Sequence, residues 1–75
     1  MFRRDRLMKR LARCRILVTL KTGEAFDGIL WDIDRYTMVL ADSKAYPANG
    51  GDPIPADGKV YLARSDVAYL QNAKE

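Results

Sequence analysis

Residues Arg15–Leu40 read RILVTLKTGEAFDGILWDIDRYTMVL, and their alternation decides the fold. Ile16, Val18 and Leu20 fall on one face of a strand and Leu17 and Thr19 on the other, because successive strand side chains point to opposite sides. Thr22-Gly23 follows where a two-residue hairpin turn is expected, with glycine supplying a positive φ at little cost. A further strand then places Phe26, Gly28 and Leu30 on one face and Asp27, Ile29, Trp31 and Ile33 on the other. Gly28 has no side chain to pack in mid-strand, and such a residue marks a bulge or a sharp bend. Asp34-Arg35-Tyr36 connects to a third apolar strand.

The pattern extends in both directions. Downstream, KVYLARSDVAYLQ over 59–71 supplies two short strands around a Ser65-Asp66 turn. Between them and the third strand lies a stretch rich in proline and glycine, which reads as loop. Upstream, residues 2–13 combine arginine, lysine, leucine, methionine and alanine, all good helix formers. Leu7, Met8 and Leu11 make one narrow apolar stripe, and basic residues fill most other positions. The expected architecture is mainly β. An N-terminal α-helix over about 2–13 precedes a strongly bent five-stranded antiparallel sheet, a small open barrel. The strands are expected at about 15–21, 24–33, 37–42, 59–63 and 67–71, with a variable loop over 43–58, all within one domain spanning 1–75.

Size and charge narrow the function. A chain of 75 residues buries only about 60% of the surface its unfolded form exposes, so its core is marginal. Small domains of this kind need a staple, a metal or an oligomer. Cys14 is the only cysteine and there is no histidine, which removes an internal disulfide and the usual zinc ligands. Oligomerisation is the remaining route. The single thiol also suits a reducing compartment, so a cytoplasmic location is expected. No apolar run approaches the roughly 20 residues that span a bilayer, and no membrane partner is expected.

The charge is unevenly placed. Residues 1–15 carry seven basic groups against Asp5 alone, a net +6, while the remaining 60 carry six basic and nine acidic groups, a net −3. A basic segment on a mildly acidic body implies a polyanion or an acidic protein surface as partner. A solvated helix face, its arginines paired with acidic groups of a neighbouring copy, accounts for the same charges.

A helix followed by five short strands, with a bend in strand two, resembles the Sm and Sm-like family, which includes bacterial Hfq. The resemblance covers roughly residues 4–71. The first family motif appears as Val18-Thr19-Leu20-Lys21, Gly23, Phe26-Asp27-Gly28-Ile29-Leu30, Asp34 and Met38-Val39-Leu40. The run Tyr61-Leu62-Ala63-Arg64-Ser65-Asp66-Val67-Ala68-Tyr69-Leu70 is similar to the family's other motif. It departs from the family pattern: Ala63 holds the usual arginine position and Arg64 the usual glycine position.

The resemblance implies closed homo-oligomeric rings of six or seven subunits, the last strand of one pairing with the fourth strand of the next. Such a ring covers strand edges that would otherwise be exposed. It also implies single-stranded RNA bound at the pore, with an aromatic two places after the aspartate stacking on a base and an asparagine four places after it reading the base edge. Carried over by position, the RNA-binding candidates are Asp34, Arg35, Tyr36, Met38 and Arg64. Tyr36 suits stacking, whereas Met38 lacks the paired hydrogen bonds of an amide. Arg3, Arg4, Arg6 and Arg10 form a basic helix face that offers another surface for RNA phosphates.

Each candidate also has a purely structural explanation. Asp34 suits capping of the inter-strand turn, Tyr36 and Trp31 suit packing against a neighbouring copy, and Arg35 and Arg64 suit inter-subunit ion pairs. An assembly scaffold that has lost RNA recognition therefore stands as the alternative function, and a monomeric SH3-like barrel as a third. An enzyme is not expected. The chain has no nucleophile beside a base and no phosphate-binding glycine loop, so neither cofactor nor metal is anticipated.

Overall fold

In the computed structural model, which describes residues 13–72, the chain begins with a hairpin. β1 (Arg15–Leu20) and β2 (Ala25–Ile33) pair antiparallel from Arg15↔Ile29 to Thr19↔Ala25. The connection is a three-residue hairpin loop rather than a two-residue one. Gly23 N donates to the Leu20 carbonyl at 3.0 Å, and Leu20 N donates to the Glu24 carbonyl at 2.7 Å. Gly23 at φ 101 is the left-handed residue that such three-residue hairpins require.

β3 (Thr37–Tyr46) runs back along the whole of β2, β4 (Ile54–Pro55) adds a short edge, and β5 (Val60–Ala63) is followed by a single 3₁₀ turn (Arg64–Asp66) and β6 (Val67–Asn72). The sheet order is β4-β3-β2-β1-β6, and β5 also pairs with β3. β1 covers residues 25–29 of β2, whereas β5 covers residues 37–40 of β3. The two ends of the β2–β3 ribbon thus belong to different parts of the sheet, and the ribbon bends between them.

Gly28 makes that bend possible. A Cβ there would lie 3.0 Å from the Ala41 carbonyl oxygen and 3.2 Å from Ser43 Cβ, and the backbone has φ 155. Opposite Gly28 the register shifts, because Asp27 pairs with Lys44 but Ile29 with Ala41. The extra β3 residue lies in the Asp42-Ser43 step, where Asp42 adopts φ 52. Another shift follows on β2, where Leu30 pairs with Leu40 and Asp32 with Val39. Trp31 is the extra residue there. Bulges of this kind raise twist and re-aim side chains.

The core is Ile16 and Val18 from β1, Leu30 and Ile33 from β2, Met38 and Leu40 from β3, and Leu62 from β5, with Leu20, Phe26, Val60, Val67 and Leu70 packed against it. Fully burying a large apolar side chain, as at Ile16, Leu30 and Leu40, is worth about 1.5–3 kcal/mol. Ile33 corrects the alternation read from sequence, which sets it opposite Leu30. The Trp31 bulge rotates the strand by one residue and turns Ile33 inward. Ala68 does the same on β6, where the register moves by one between Thr19↔Tyr69 and Leu20↔Val67, so Val67 and Leu70 both meet the core.

Two expectations about the elements change, and a third falls almost wholly outside the described residues. The expected loop over 43–58 contains the end of β3 and all of β4, giving six strands rather than five. Asp27 anchors that extension: its Oδ1 accepts from Lys44 N at 2.9 Å and its Oδ2 from the Tyr46 hydroxyl at 2.8 Å. The same hydrogen bond, ahead of burial, holds the Tyr46 phenol above its ordinary pKa. The expected Ser65-Asp66 turn is the 3₁₀ turn. The helix expected over 2–13 lies outside the described residues except for Arg13, which sits in a turn at φ 69.

Candidate nucleic-acid interface

The connection between β2 and β3 is tied by one side chain. Asp34 Oδ1 accepts from Tyr36 N at 2.9 Å and from Thr37 N at 2.8 Å, while Asp34 N donates to the Thr37 carbonyl at 2.9 Å. An aspartate bonding amides two and three residues ahead is a local turn mimic. The Tyr36 and Thr37 amides, with the Arg64 charge nearby, hold the Asp34 carboxyl below the usual carboxylate range against a smaller opposing effect of desolvation.

A further tie comes from the 3₁₀ turn. Arg64 N donates to the Tyr36 carbonyl at 2.8 Å, and Arg64 Nη1 donates to the Asp34 carbonyl at 2.6 Å. The β2–β3 loop and the β5–β6 turn are thereby fixed side by side. An open concavity between them is lined by Arg35, Tyr36, Thr37, Arg64, Ser65 and Tyr69, among others. Tyr36 is 71% exposed, and the Arg35 guanidinium lies 5.9 Å from its ring centroid.

The sequence-derived candidates divide here. Asp34, Arg35, Tyr36 and Arg64 come together on the two adjoining loops. Met38 borders the same concavity from beneath, but at 1% exposure it is a core side chain. Thr37, one residue earlier and half-buried, lines the concavity instead. Sequence reasoning does not single out Thr37, Ser65 or Tyr69. For Thr37 the signal is present, since Met38 and Leu40 share the apolar face of their strand and Thr37 must lie across from them. Arg3, Arg4, Arg6 and Arg10 lie outside the described residues.

Among the described residues, no group of histidine, cysteine or carboxylate side chains could hold a metal ion, and no helix is long and apolar enough to cross a membrane.

No family model matches the chain, and no curated protein matches it. Solved structures do. A Pyrococcus abyssii Sm protein, determined in complex with a uridine heptamer, is 26% identical over 91% of this chain and 94% of its own, with a TM-score of 0.78. A heptameric archaeal Sm protein is 17% identical, covering 92% of this chain and 98% of its own at a TM-score of 0.78. The P. aerophilum SmAP1 heptamer is 17% identical, covering 95% and 93% at a TM-score of 0.81. The bent antiparallel sheet and these likenesses give the chain an Sm-like fold, and with the motif along β1–β3 they support an Sm-like family assignment.

Proposed function

We propose that this chain assembles into a homo-oligomeric ring and binds single-stranded RNA, acting as a binding protein rather than an enzyme. The observation that carries the reading is the exposed Tyr36 on a loop tied from both sides by Asp34 and Arg64. In this reading Tyr36 stacks on a base, and Arg35 and Arg64 lend positive charge for the adjacent phosphates. Stacking of this kind tolerates any base because every base has a π face. Asp34 sets the loop, and Met38 supports it from the core. Arg3, Arg4, Arg6 and Arg10 on the N-terminal segment supply another surface for phosphates.

The heptameric state of two structural neighbours and the uridine oligomer bound to the third support the reading. So do the sheet edges. β5 and β6 are consecutive yet do not pair with each other, and each carries an exposed tyrosine, Tyr61 and Tyr69. Pairing of β6 in one copy with β5 in the next would cover both edges and close into a ring of six or seven.

The test is the mass of the purified oligomer, followed by binding of short U-rich and A-rich RNAs across a salt series. A ring that binds with steep salt dependence and weakens when Tyr36 and Arg64 are both replaced by alanine supports the reading. Absence of binding at low salt removes it. One observation favours an alternative, a ring that serves as an assembly scaffold. Arg64 already donates to the Asp34 carbonyl, and no amide side chain stands at the base-reading position. A preparation free of nucleic acid, with no RNA affinity, would establish that alternative.

A further inference from the structure

Trp31 is the chain's only tryptophan. As the extra residue of the β2 bulge it stands 43% exposed on the side of the sheet away from the core. Two cations lie over its indole: Arg13 Cζ is 4.2 Å from the ring centroid and Lys59 Nζ is 4.7 Å from it. They arrive from distant parts of the chain, one before β1 and one before β5. The Arg13 backbone is anchored beside β2, because its amide donates to the Leu30 carbonyl at 2.7 Å.

Neither cation is offset by a carboxylate among the described residues. The ion pairs there join Arg15 to Asp27 and Asp42. The adjacent Asp32 turns its carboxylate back to the Ile33 amide at 2.8 Å. The indole thus gathers two positive charges that no described carboxylate pairs, and their natural complement is an anion. A guanidinium fork and an ammonium match phosphate oxygens, and the part of the indole that the cations leave exposed adds apolar surface for a sugar or base edge. A carboxylate-rich peptide would satisfy the charges but make no comparable use of that surface. Lys59 and Arg64 flank the four residues of β5, which at roughly 3.3 Å per residue separates them by about 16 Å. The cluster is therefore distinct from the Tyr36 concavity.

We propose that Arg13, Trp31 and Lys59 form an additional single-stranded RNA site, which grips a backbone phosphate between the two cations with the nucleoside against the indole. The proposal deepens the RNA-binding reading and rests on it. Its test uses Trp31 itself, because tryptophan emission from this chain has a single source. Labelled single-stranded RNA is titrated into the full-length oligomer while RNA anisotropy and Trp31 emission are followed together.

The expected result is a saturable change in Trp31 emission that survives in the Tyr36→Ala, Arg64→Ala oligomer. The change is lost in the Arg13→Gln, Lys59→Gln oligomer and retained in Lys59→Arg. Removal of the two cations also flattens the slope of log affinity against log salt by about 0.7 per subunit engaged, the value for one phosphate contact on a single strand. Poly-glutamate of equal charge is expected to leave the emission unchanged. An anisotropy change with constant Trp31 emission overturns this site and leaves the concavity standing, whereas no anisotropy change removes both. A Trp31 response that vanishes with Tyr36 and Arg64, or that poly-glutamate reproduces, also overturns it.

Discussion

Arg64 holds Asp34 from behind: its guanidinium reaches the Asp34 carbonyl at 2.6 Å while the Asp34 carboxylate holds the amides of Tyr36 and Thr37. The loop that presents Tyr36 is thus braced at its backbone from one side and by its own aspartate from the other. An exposed aromatic on a braced loop loses little freedom when a base stacks on it, and that makes it an efficient contact.

Tyr36→Ala is expected to weaken RNA binding by about 1–3 kcal/mol for each base stacked, whereas Tyr36→Phe keeps most of the affinity. Anisotropy titrations of both variants at one salt concentration make the comparison. Equal losses in the two would assign the contact to the hydroxyl and not to the ring face.

Removing the Arg64 guanidinium should loosen the loop without unfolding the sheet, since the Arg64 amide remains. Amide exchange at Tyr36 and Thr37 is expected to quicken in Arg64→Ala and to stay near normal along β1. Unchanged exchange at those two amides would show that the brace is dispensable.

The Asp34 carboxyl is held below its ordinary value of 3.8, chiefly by the Tyr36 and Thr37 amides. Its folded pKa lies below the unfolded one, so the folded chain binds fewer protons near pH 4 and stability rises with pH there. That contribution is complete above the unfolded value and disappears as pH falls through the folded one. Asp34→Asn should therefore show a shallower loss of stability below about pH 4, as followed by denaturant midpoints. An identical acid limb in the variant would remove the assignment.

Gly28→Ala should cost about 1–3 kcal/mol, the scale of a residue forced into a sparsely populated backbone region. The added methyl meets the Ala41 carbonyl at 3.0 Å, so relief would require the β2–β3 ribbon to straighten. Denaturant unfolding measures the loss, and a loss of subunit assembly in parallel would show how far the bend serves the oligomer.

Met38 and its neighbour separate packing from contact. Met38→Ala should destabilise by about 2–5 kcal/mol as a cavity-forming change, while Met38→Leu costs less than about 1.5 kcal/mol. RNA affinity of the folded Met38→Leu oligomer should match that of the unaltered protein. A large drop in its affinity would give the sulfur a direct part in binding.

Much of this molecule is legible from residue spacing. The inward face of β1, the glycine that closes the first hairpin and the bend at Gly28 all follow from alternation and backbone freedom. The strand phase after each bulge is less legible. Nothing local to Trp31 announces that it is an extra residue, because a bulge is defined by the partner strand opposite it. Simple alternation sets Ile33 on the wrong face for that reason. The end of β3 is hidden similarly, since the bonds from Asp27 to Lys44 and Tyr46 join residues far apart in the chain. At the site, the aspartate and aromatic stand out by type and interval. Counting from Asp34 leads to Met38, although the core-facing phase of β3 makes Thr37 the residue beside Tyr36.

The two register shifts along the β2–β3 ribbon cancel. One extra residue on β3 opposite Gly28 is followed by one extra residue on β2 at Trp31, and the pairing beyond Asp32 returns to the frame it had at Ala25. They behave as an error and its correction in a reading frame. Deleting Trp31 alone would throw Asp34 and Tyr36 out of phase with the turn that braces them, whereas deleting another residue at Asp42 or Ser43 would restore it. Insertions and deletions in this ribbon should therefore be tolerated in pairs, one on each strand.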